Sequence, residues 1–367
     1  MVPLKKNTQI SVSQLVCLLL ASRLTTAMTA SPAGGPAGFG SSMLVSVVLQ
    51  IPLLLILLLP TWWFSRRTNR SGTIDYAYVL FGPKGGGAVA ALYGLLCLVI
   101  VNADLLRFQT FVSVALSPGM SRIALCGTLV VGVFFAASCG LQAVARAAGV
   151  AVVVVIAAMV FTLFSLLPEM RGVHFLSPLY DGVYPVVEGA LYELPRSIEV
   201  AVVGMLLPYV RGSSSKGYAV WTTVLAGVLV LMQATITGVL GDFAAQVRFP
   251  YYTAVTAADV GIIQRMDLIA VAVWLVVLFV KMAFYSMLYM SCAQRIFGKN
   301  RKPLYAVAGG GTVFVTGLSF AGLAAQSEQE ASVPVYLIIA GLFAVALPLV
   351  LVLADMVRER RARRARA

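Results

Sequence analysis

The sequence predicts an all-α protein that crosses a membrane about ten times. Three observations carry that expectation. Hydrophobic residues make up 60% of the 367 positions and charged residues only 11%, whereas soluble domains carry about 25% charged residues. Ten apolar runs recur along the chain, each near the ~20 residues that span a hydrocarbon core as a helix. Basic residues gather in alternate connections between those runs, which is the asymmetry that orients membrane proteins.

The runs lie at about 9–29, 42–64, 86–108, 121–141, 146–167, 195–211, 217–241, 266–294, 304–325 and 333–356. They are too long for strands and lack a two-residue alternation. Backbone groups in lipid must pair within the segment, so each run is read as a helix. The first run has a rival reading as a cleaved secretory signal, with Lys5 and Lys6 before it and the small-residue tail Thr26-Ala27-Met28-Thr29-Ala30 after it. Arg23 inside the run and the charge pattern beyond it argue for a retained span. The lysine-preceded Gly85-Gly86-Gly87 lacks the order of a phosphate-binding loop and is read as a loop entering the third span. The sequence contains no GxSxG, HExxH or Walker motif, so no enzyme is expected, and no cofactor.

Orientation follows from the basic residues. With a cytoplasmic N-terminus, inner segments hold Lys5, Lys6, Arg66, Arg67, Arg70, Lys84, Arg146, Arg211, Lys216, Arg295, Lys299, Arg301, Lys302 and the tail arginines Arg358, Arg360, Arg361, Arg363, Arg364 and Arg366. These are 19 of the 27 basic residues. Outer segments hold Arg107, Arg122, Arg171, Arg196, Arg248 and Arg265. Acidic residues collect outside, at Glu169, Asp181, Glu188, Glu193, Asp242, Asp259, Asp267, Glu328 and Glu330. Both termini are therefore expected in the cytoplasm, in an inner membrane. The net charge of +13 is topological, and no nucleic-acid partner is expected. Chain 1–367 reads as one polytopic domain in contact with lipid, with outer loops at about 168–194 and 242–265 and a basic tail at 357–367. The first loop carries Tyr180, Asp181, Tyr184 and Glu188; the second carries Phe249-Pro250-Tyr251-Tyr252 and a short helix up to Arg265. Cys17, Cys97, Cys126, Cys139 and Cys292 sit in apolar segments and read as small hydrophobes, without disulfide or metal role. His174 falls in the first loop and reads as solvated.

Ionisable residues within spans are costly and usually face a cavity or a partner. Arg23 lies in span 1, Glu199 early in span 6 and Lys281 near the middle of span 8. Asp104 and Asp267 lie nearer span ends, within reach of the interface. Ser22-Arg23-Leu24-Thr25-Thr26 is a polar interruption, and span 6 is short enough to break at Gly204 or bend at Pro208. Interrupted helices at corresponding places in two halves point to a transporter binding site. Spans 1 and 6 are five apart, which divides the chain into repeats at about 9–167 and 195–356, the 5+5 arrangement of LeuT-like folds. Ser22, Arg23, Thr26, Glu199 and Gly204 are thus candidate ligand-binding residues, with Arg23 holding a carboxylate and Glu199 an amine. The bland alternative is that Arg23 and Glu199 simply neutralise one another. Lys281 and Tyr285 share a helical face with Tyr289, where the lysine is an ion-coupling group, a stand-in for a bound sodium ion, or a structural charge. Gln233 and Thr237 share a face of span 7, as cavity lining or as interhelical hydrogen-bond glue.

Several segments together resemble one family. Gly140-Leu141-Gln142-Ala143-Val144-Ala145-Arg146 resembles its stretch between spans 4 and 5, with Gln142 at an otherwise acidic place. Phe249-Pro250-Tyr251, then Gln264-Arg265-Met266-Asp267, Trp274 and Phe279-Val280-Lys281, resemble its outer loop and eighth span. Ser11-Gln14-Leu15 and Ser22-Arg23-Leu24 resemble the start of some members. These match the spore-germination permeases, the B subunits of endospore germinant receptors, within the amino acid–polyamine–organocation superfamily. The resemblance implies a LeuT-like fold, residence in the spore inner membrane with A and C receptor subunits, and a small germinant, often an amino acid, bound between spans 1, 3, 6 and 8. One departure is that the superfamily usually has glycines where this chain has Ser22-Arg23-Leu24-Thr25-Thr26.

Three functions fit the sequence: a germinant-sensing subunit, a proton- or sodium-coupled amino-acid transporter, and a scaffold subunit that binds nothing itself. The fold supports all three.

Overall fold

Ser11 and Gln14 set the start of the first helix. The Ser11 hydroxyl accepts from the Gln14 N–H at 3.2 Å, and the Gln14 side chain accepts from the Ser11 N–H at 2.9 Å. This reciprocal cap satisfies two donors that a helix start leaves free. In the computed structural model, which describes residues 9–30, 41–69, 71–115, 119, 121–176, 179, 182–212, 214–258, 266–298, 301–327 and 337–364, this helix is α1, Val12–Met28. Every side chain from Leu18 to Met28 is buried. A helix that is apolar all round belongs inside a bundle, and α1 packs against α5 (Leu141–Leu166), α8 (Ser214–Leu240) and α10 (Met266–Phe297). It runs unbroken through Ser22-Arg23-Leu24-Thr25-Thr26. Those polar groups are accommodated without unwinding: the Thr25 hydroxyl donates to the Ala21 carbonyl at 2.8 Å.

α2 (Ser41–Arg67) contains Pro52 and Pro60. Neighbouring helices and side chains compensate for such prolines in membrane helices. α3 (Thr73–Ala115) turns sharply at Gly82, whose φ is +69°, next to Pro83. The expected loop at Gly85-Gly86-Gly87 is helical instead. The short segment before the turn lies so close that a Cβ on Gly86 would sit 2.3 Å from the Tyr78 ring, so the glycines serve a close approach. α4 (Arg122–Ser138) follows, and Gly140 with φ +92° leads into α5.

The sixth crossing is made in two pieces. α6 (Tyr184–Glu193) ends in a 3₁₀ turn at Leu194–Arg196, and α7 (Val200–Leu206) begins after Glu199. The interruption therefore falls at 194–199, and α7 passes through Gly204 without a break. The chain next leaves α geometry at a 3₁₀ turn, Leu207–Tyr209, around Pro208. α9 (Pro250–Thr256) lies in the second outer loop, α11 (Lys302–Ser327) follows α10, and a π turn at Gly341–Ala346 leads into α12 (Leu347–Arg364). All ten apolar runs carry helix. Among the described residues, six helices are long and apolar enough to cross a membrane, and Val12–Met28, Arg122–Ser138 and Val200–Tyr209 are shorter apolar helices. Among the described residues there is no strand, only an isolated parallel bridge between Ile10 and Val210.

Helix ends group as the charge alternation expects. At one end Arg67 meets Asp355 at 2.8 Å and Glu359 at 2.6 Å, Arg295 pairs with Asp75, and Arg211 donates to the Gln9 side chain at 2.6 Å. Gln142 donates to the Gln9 carbonyl at 3.1 Å. At the other end the Phe111 ring meets Phe249, Tyr252 and Trp274 at centroid distances of 5.1, 5.4 and 4.5 Å. The first outer loop is packed rather than free: His174 Nδ1 lies 2.9 Å from the Gly238 carbonyl, so that histidine is not simply solvated. Burial pushes the Tyr251 phenol in α9 up to about 12, opposed by its hydrogen bond to Thr162. Lys5, Lys6, Tyr180, Asp181, Asp259, Gln264, Arg265, Glu328 and Glu330 lie outside the described residues.

Gly204 sits where α7 meets α2 and α3. A Cβ there would lie 2.7 Å from Thr73 Cγ2 and 3.7 Å from Thr61 Cγ2. Gly204→Val should therefore lower stability by about 1–3 kcal/mol, read as a lower unfolding temperature of the detergent-solubilised protein.

Candidate functional site

The break between α6 and α7 frees backbone groups that lipid cannot satisfy, so polar side chains must meet them. Gln50 of α2 donates to the Glu193 carbonyl at 2.9 Å. The Glu193 carboxylate receives Arg23 from α1 at 2.7 Å through one oxygen and Arg196 from the 3₁₀ turn through the other. Arg23 is 0% exposed. A buried charge needs an opposite charge in hydrogen-bonding contact, and here one carboxylate serves two guanidinium groups. Arg196 also stacks over the Tyr192 ring at 4.3 Å. The partner of Arg23 is thus Glu193, which the sequence pattern had placed among exterior acids, and not Glu199.

Glu199 lies across the break from Glu193, also 0% exposed. Its Oε2 accepts from the Ser22 hydroxyl at 3.5 Å, and Ser22 in turn lies 3.2 Å from the Tyr285 hydroxyl. Ser22, Glu199 and Tyr285 therefore form one chain of contacts joining α1, α7's N-terminal approach and α10. Glu199 Oε1, Arg23 Nε and Nη1, and Ser197 Oγ are buried without a hydrogen-bond partner among the described residues. Polar atoms in that state are rare in folded proteins.

A third group lies at the crossing of α3 and α10. Lys281 Nζ donates to Asp104 Oδ1 at 2.9 Å and to the Thr26 hydroxyl at 2.9 Å. Arg107 reaches the same Asp104 oxygen at 2.9 Å. Asp104 is 1% exposed, so it is an interior partner for Lys281 and does not reach the interface as its position near the span end suggested. Trp274 fixes α10 to α1 from above, its indole N–H donating to the Thr25 carbonyl at 3.2 Å.

Of the candidate residues, Ser22, Glu199 and Tyr285 come together, Thr26 and Lys281 come together, and Arg23 lies beside both sets on α1. Gly204 does not join them; it is a packing contact against α2 and α3. Sequence reasoning missed Glu193 and Asp104 as partners. Each carries a basic residue three positions on, Arg196 and Arg107, and that spacing within or beside an apolar run was the available signal. A narrow cavity of about 20 Å³, lined by Ala27, Ala30, Val47, Glu193, Met232 and Gln233 among others, opens next to the Glu193 group and holds about one water. Gln233 lines it while donating to Thr237 one turn on in α8 at 3.3 Å, a bond within one helix and not the interhelical glue the sequence offered as an alternative.

A family model described as "Spore germination protein" matches residues 9–326. Among solved structures, a Na⁺-coupled sialic acid symporter in a substrate-bound outward-open state is similar in fold. It is 13% identical, with a TM-score of 0.56, and the match covers 92% of this chain and 79% of that chain. No individually curated protein matches. The helical architecture and this likeness establish a LeuT-like transporter fold.

Glu193→Gln leaves Arg23 buried with no carboxylate in contact, a change that costs about 3–5 kcal/mol in comparable cases. We expect much less protein in the membrane fraction. The double variant Arg23→Gln, Glu193→Gln should recover a large part of that loss, and immunoblot of membranes checks both. In contrast, Lys281→Met leaves Asp104 still paired with Arg107, and should reduce membrane abundance by less than about twofold, since a pair that keeps one partner avoids most of the penalty of an uncompensated charge.

Proposed function

The chain belongs to the spore germination permease family, and from that premise we propose that it is the germinant-sensing transmembrane subunit of a spore receptor. It binds a small zwitterion, an amino acid, between α1, α3, the α6–α7 break and α10, and signals to the A and C subunits in the spore inner membrane. The protein is read as a binding and signalling component without catalysis.

The observation that carries this reading is the set of buried, unpartnered atoms around the break: Nε and Nη1 of the Arg23 guanidinium and Oε1 of the Glu199 carboxyl group. An α-amino acid presents one carboxylate and one ammonium a few bonds apart, and each finds here a complementary group with free hydrogen-bonding capacity, donors on Arg23 and an acceptor on Glu199. Low local dielectric makes such contacts strong once water is excluded. The narrow cavity beside Glu193 is too small for an amino acid, so binding requires α1 and the α6–α7 hinge to separate. A ligand that binds only the separated arrangement shifts the population toward it, and a hinge built at a helix break is suited to move.

A second reading, a proton- or sodium-coupled transporter, has one observation in its favour: the buried Lys281–Asp104 pair at the contact of two crossings, a place where intramembrane charges often couple ions. It predicts uphill amino-acid uptake into proteoliposomes by this chain alone, abolished by Lys281→Met. The receptor reading predicts saturable binding without accumulation.

Spores carrying Glu199→Gln at normal protein level should lose the response to one germinant class in a panel of amino acids and nucleosides, scored by loss of optical density. An unchanged response to every compound would remove Glu199 from the ligand site and favour the scaffold reading.

A further inference from the structure

α6 has two faces of opposite character. One is fixed to α2: Gly189 lies so close that a Cβ on it would meet the Ser46 hydroxyl at 2.5 Å, and Val186, Ala190 and Glu193 are buried. The other face carries Tyr184, Val187, Glu188 and Leu191, spaced three and four apart so that they form one stripe. Tyr184 is 76% exposed, Val187 40% and Leu191 45%, and Glu188 is exposed between them.

The depth of this stripe follows from α2. That helix is 27 residues long, about 40 Å at 1.5 Å per residue, so it overfills a hydrocarbon core about 30 Å thick. Ser46 lies about 12 Å from the helix midpoint and Gln50 about 6 Å. Gly189 is level with Ser46, and Gln50 donates to the Glu193 carbonyl. With the midpoint of α2 placed at the centre of the hydrocarbon, α6 descends from the outer surface into it, and Glu188, next to Gly189 at the level of Ser46, falls just inside its boundary. No ion pair or hydrogen bond joins Glu188 to another described side chain. Outward-facing stripes elsewhere in the bundle, Leu92, Leu95 and Val99 on α3 and Val131 and Phe135 on α4, carry no charged residue, as suits a lipid-facing surface.

We propose that the Tyr184–Val187–Glu188–Leu191 stripe docks a membrane-spanning helix of a partner subunit that bears a lysine or arginine at this depth. An apolar stripe alone would face lipid. A carboxylate in the middle of it fits a surface covered by protein that supplies the opposite charge, and interhelical polar contacts hold membrane helices together. A second copy of this chain does not supply that charge symmetrically: within α6 and the turn after it the basic residue is Arg196, which is already committed to Glu193. The location gives the contact a consequence. α6 ends at Glu193, which holds Arg23, and the break beyond it leads to Glu199. A helix seated on the back of α6 moves with the one broken segment that a bound ligand would reposition. The partner's identity as a receptor subunit rests on the receptor reading above; the docking stripe itself rests on depth and charge.

The test uses the tagged full chain co-expressed with the A and C subunits, solubilised in mild detergent and purified through the tag. With wild type, at least one membrane-spanning subunit should co-purify. Glu188→Lys should reduce its recovery at least about tenfold by placing like charges at the contact, and Glu188→Gln should reduce it less. Val131→Gln, on the α4 lipid stripe, should leave recovery unchanged, with tagged chain at normal level in every case. An acidic replacement of the partner's basic residue should restore recovery with Glu188→Lys. Full recovery with Glu188→Lys overturns the docking stripe and leaves the receptor reading standing. Failure of the wild-type chain to retain either subunit overturns the receptor reading instead. Disulfide-linked dimers of this chain formed by Val187→Cys would replace the partner helix with a second copy, and overturn the proposed occupant.

Discussion

Arg23 is a cation with no exposure inside a bundle that lipid surrounds, and the arrangement of the first half of the site follows from satisfying it. Its carboxylate partner, Glu193, must arrive from another element at the same depth, and it arrives because the sixth crossing stops at that residue. The stop frees backbone carbonyls, which Gln50 meets, and places Arg196 on the second oxygen of the same carboxylate. A charge pair, a helix break and a side-chain cap are thus one structure. Removing any of them leaves a polar group in a medium that offers no substitute.

The second consequence is that charges of this bundle are sorted into separate groups along α1. Arg23 faces Glu193, Ser22 faces Glu199 and Tyr285, and Thr26 faces Lys281 with Asp104 behind it. Successive residues on one helix point in different directions, so a single unbroken helix can address the α6–α7 break and α10 at once. Among the described residues, each group keeps a free hydrogen-bonding atom: Arg23 at Nε and Nη1, Glu199 at Oε1 and Asp104 at Oδ2. The Lys281 ammonium itself meets two oxygens, so beside Lys281 the free atom is an acceptor alone, whereas the α6–α7 break offers free donors and a free acceptor together.

The residues that carried the family resemblance turn out to be largely architectural. Ser11 and Gln14 cap α1. Gln142 ties the inner end of α5 to the N-terminus. Phe249 and Trp274 close on Phe111 at the outer end, and Pro250 starts α9. These residues hold the two ends of the bundle in register, and the chemistry sits between them. Ser22, Arg23 and Lys281, which also carried the resemblance, are the exceptions and belong to the buried polar groups.

The sequence by itself determined the number and places of the crossings, because each apolar run must be long enough to span hydrocarbon and must pair its own backbone. It determined their alternation, since helix ends rich in arginine and lysine do come together in the fold. It also marked Ser22, Arg23, Glu199 and Lys281 as interior polar groups, because an ionisable residue in an apolar run must turn away from lipid toward a partner or a cavity. Which charge meets which was decided only by tertiary structure. Glu193 looked like an exterior acid and Asp104 like an interfacial one, and both prove to be interior partners. Gly204 looked like a hinge and is a close contact, while the hinge lies at 194–199. Spacing along one helix specifies a face, but a pair between helices depends on the depth and rotation of two elements, which one-dimensional pattern does not encode.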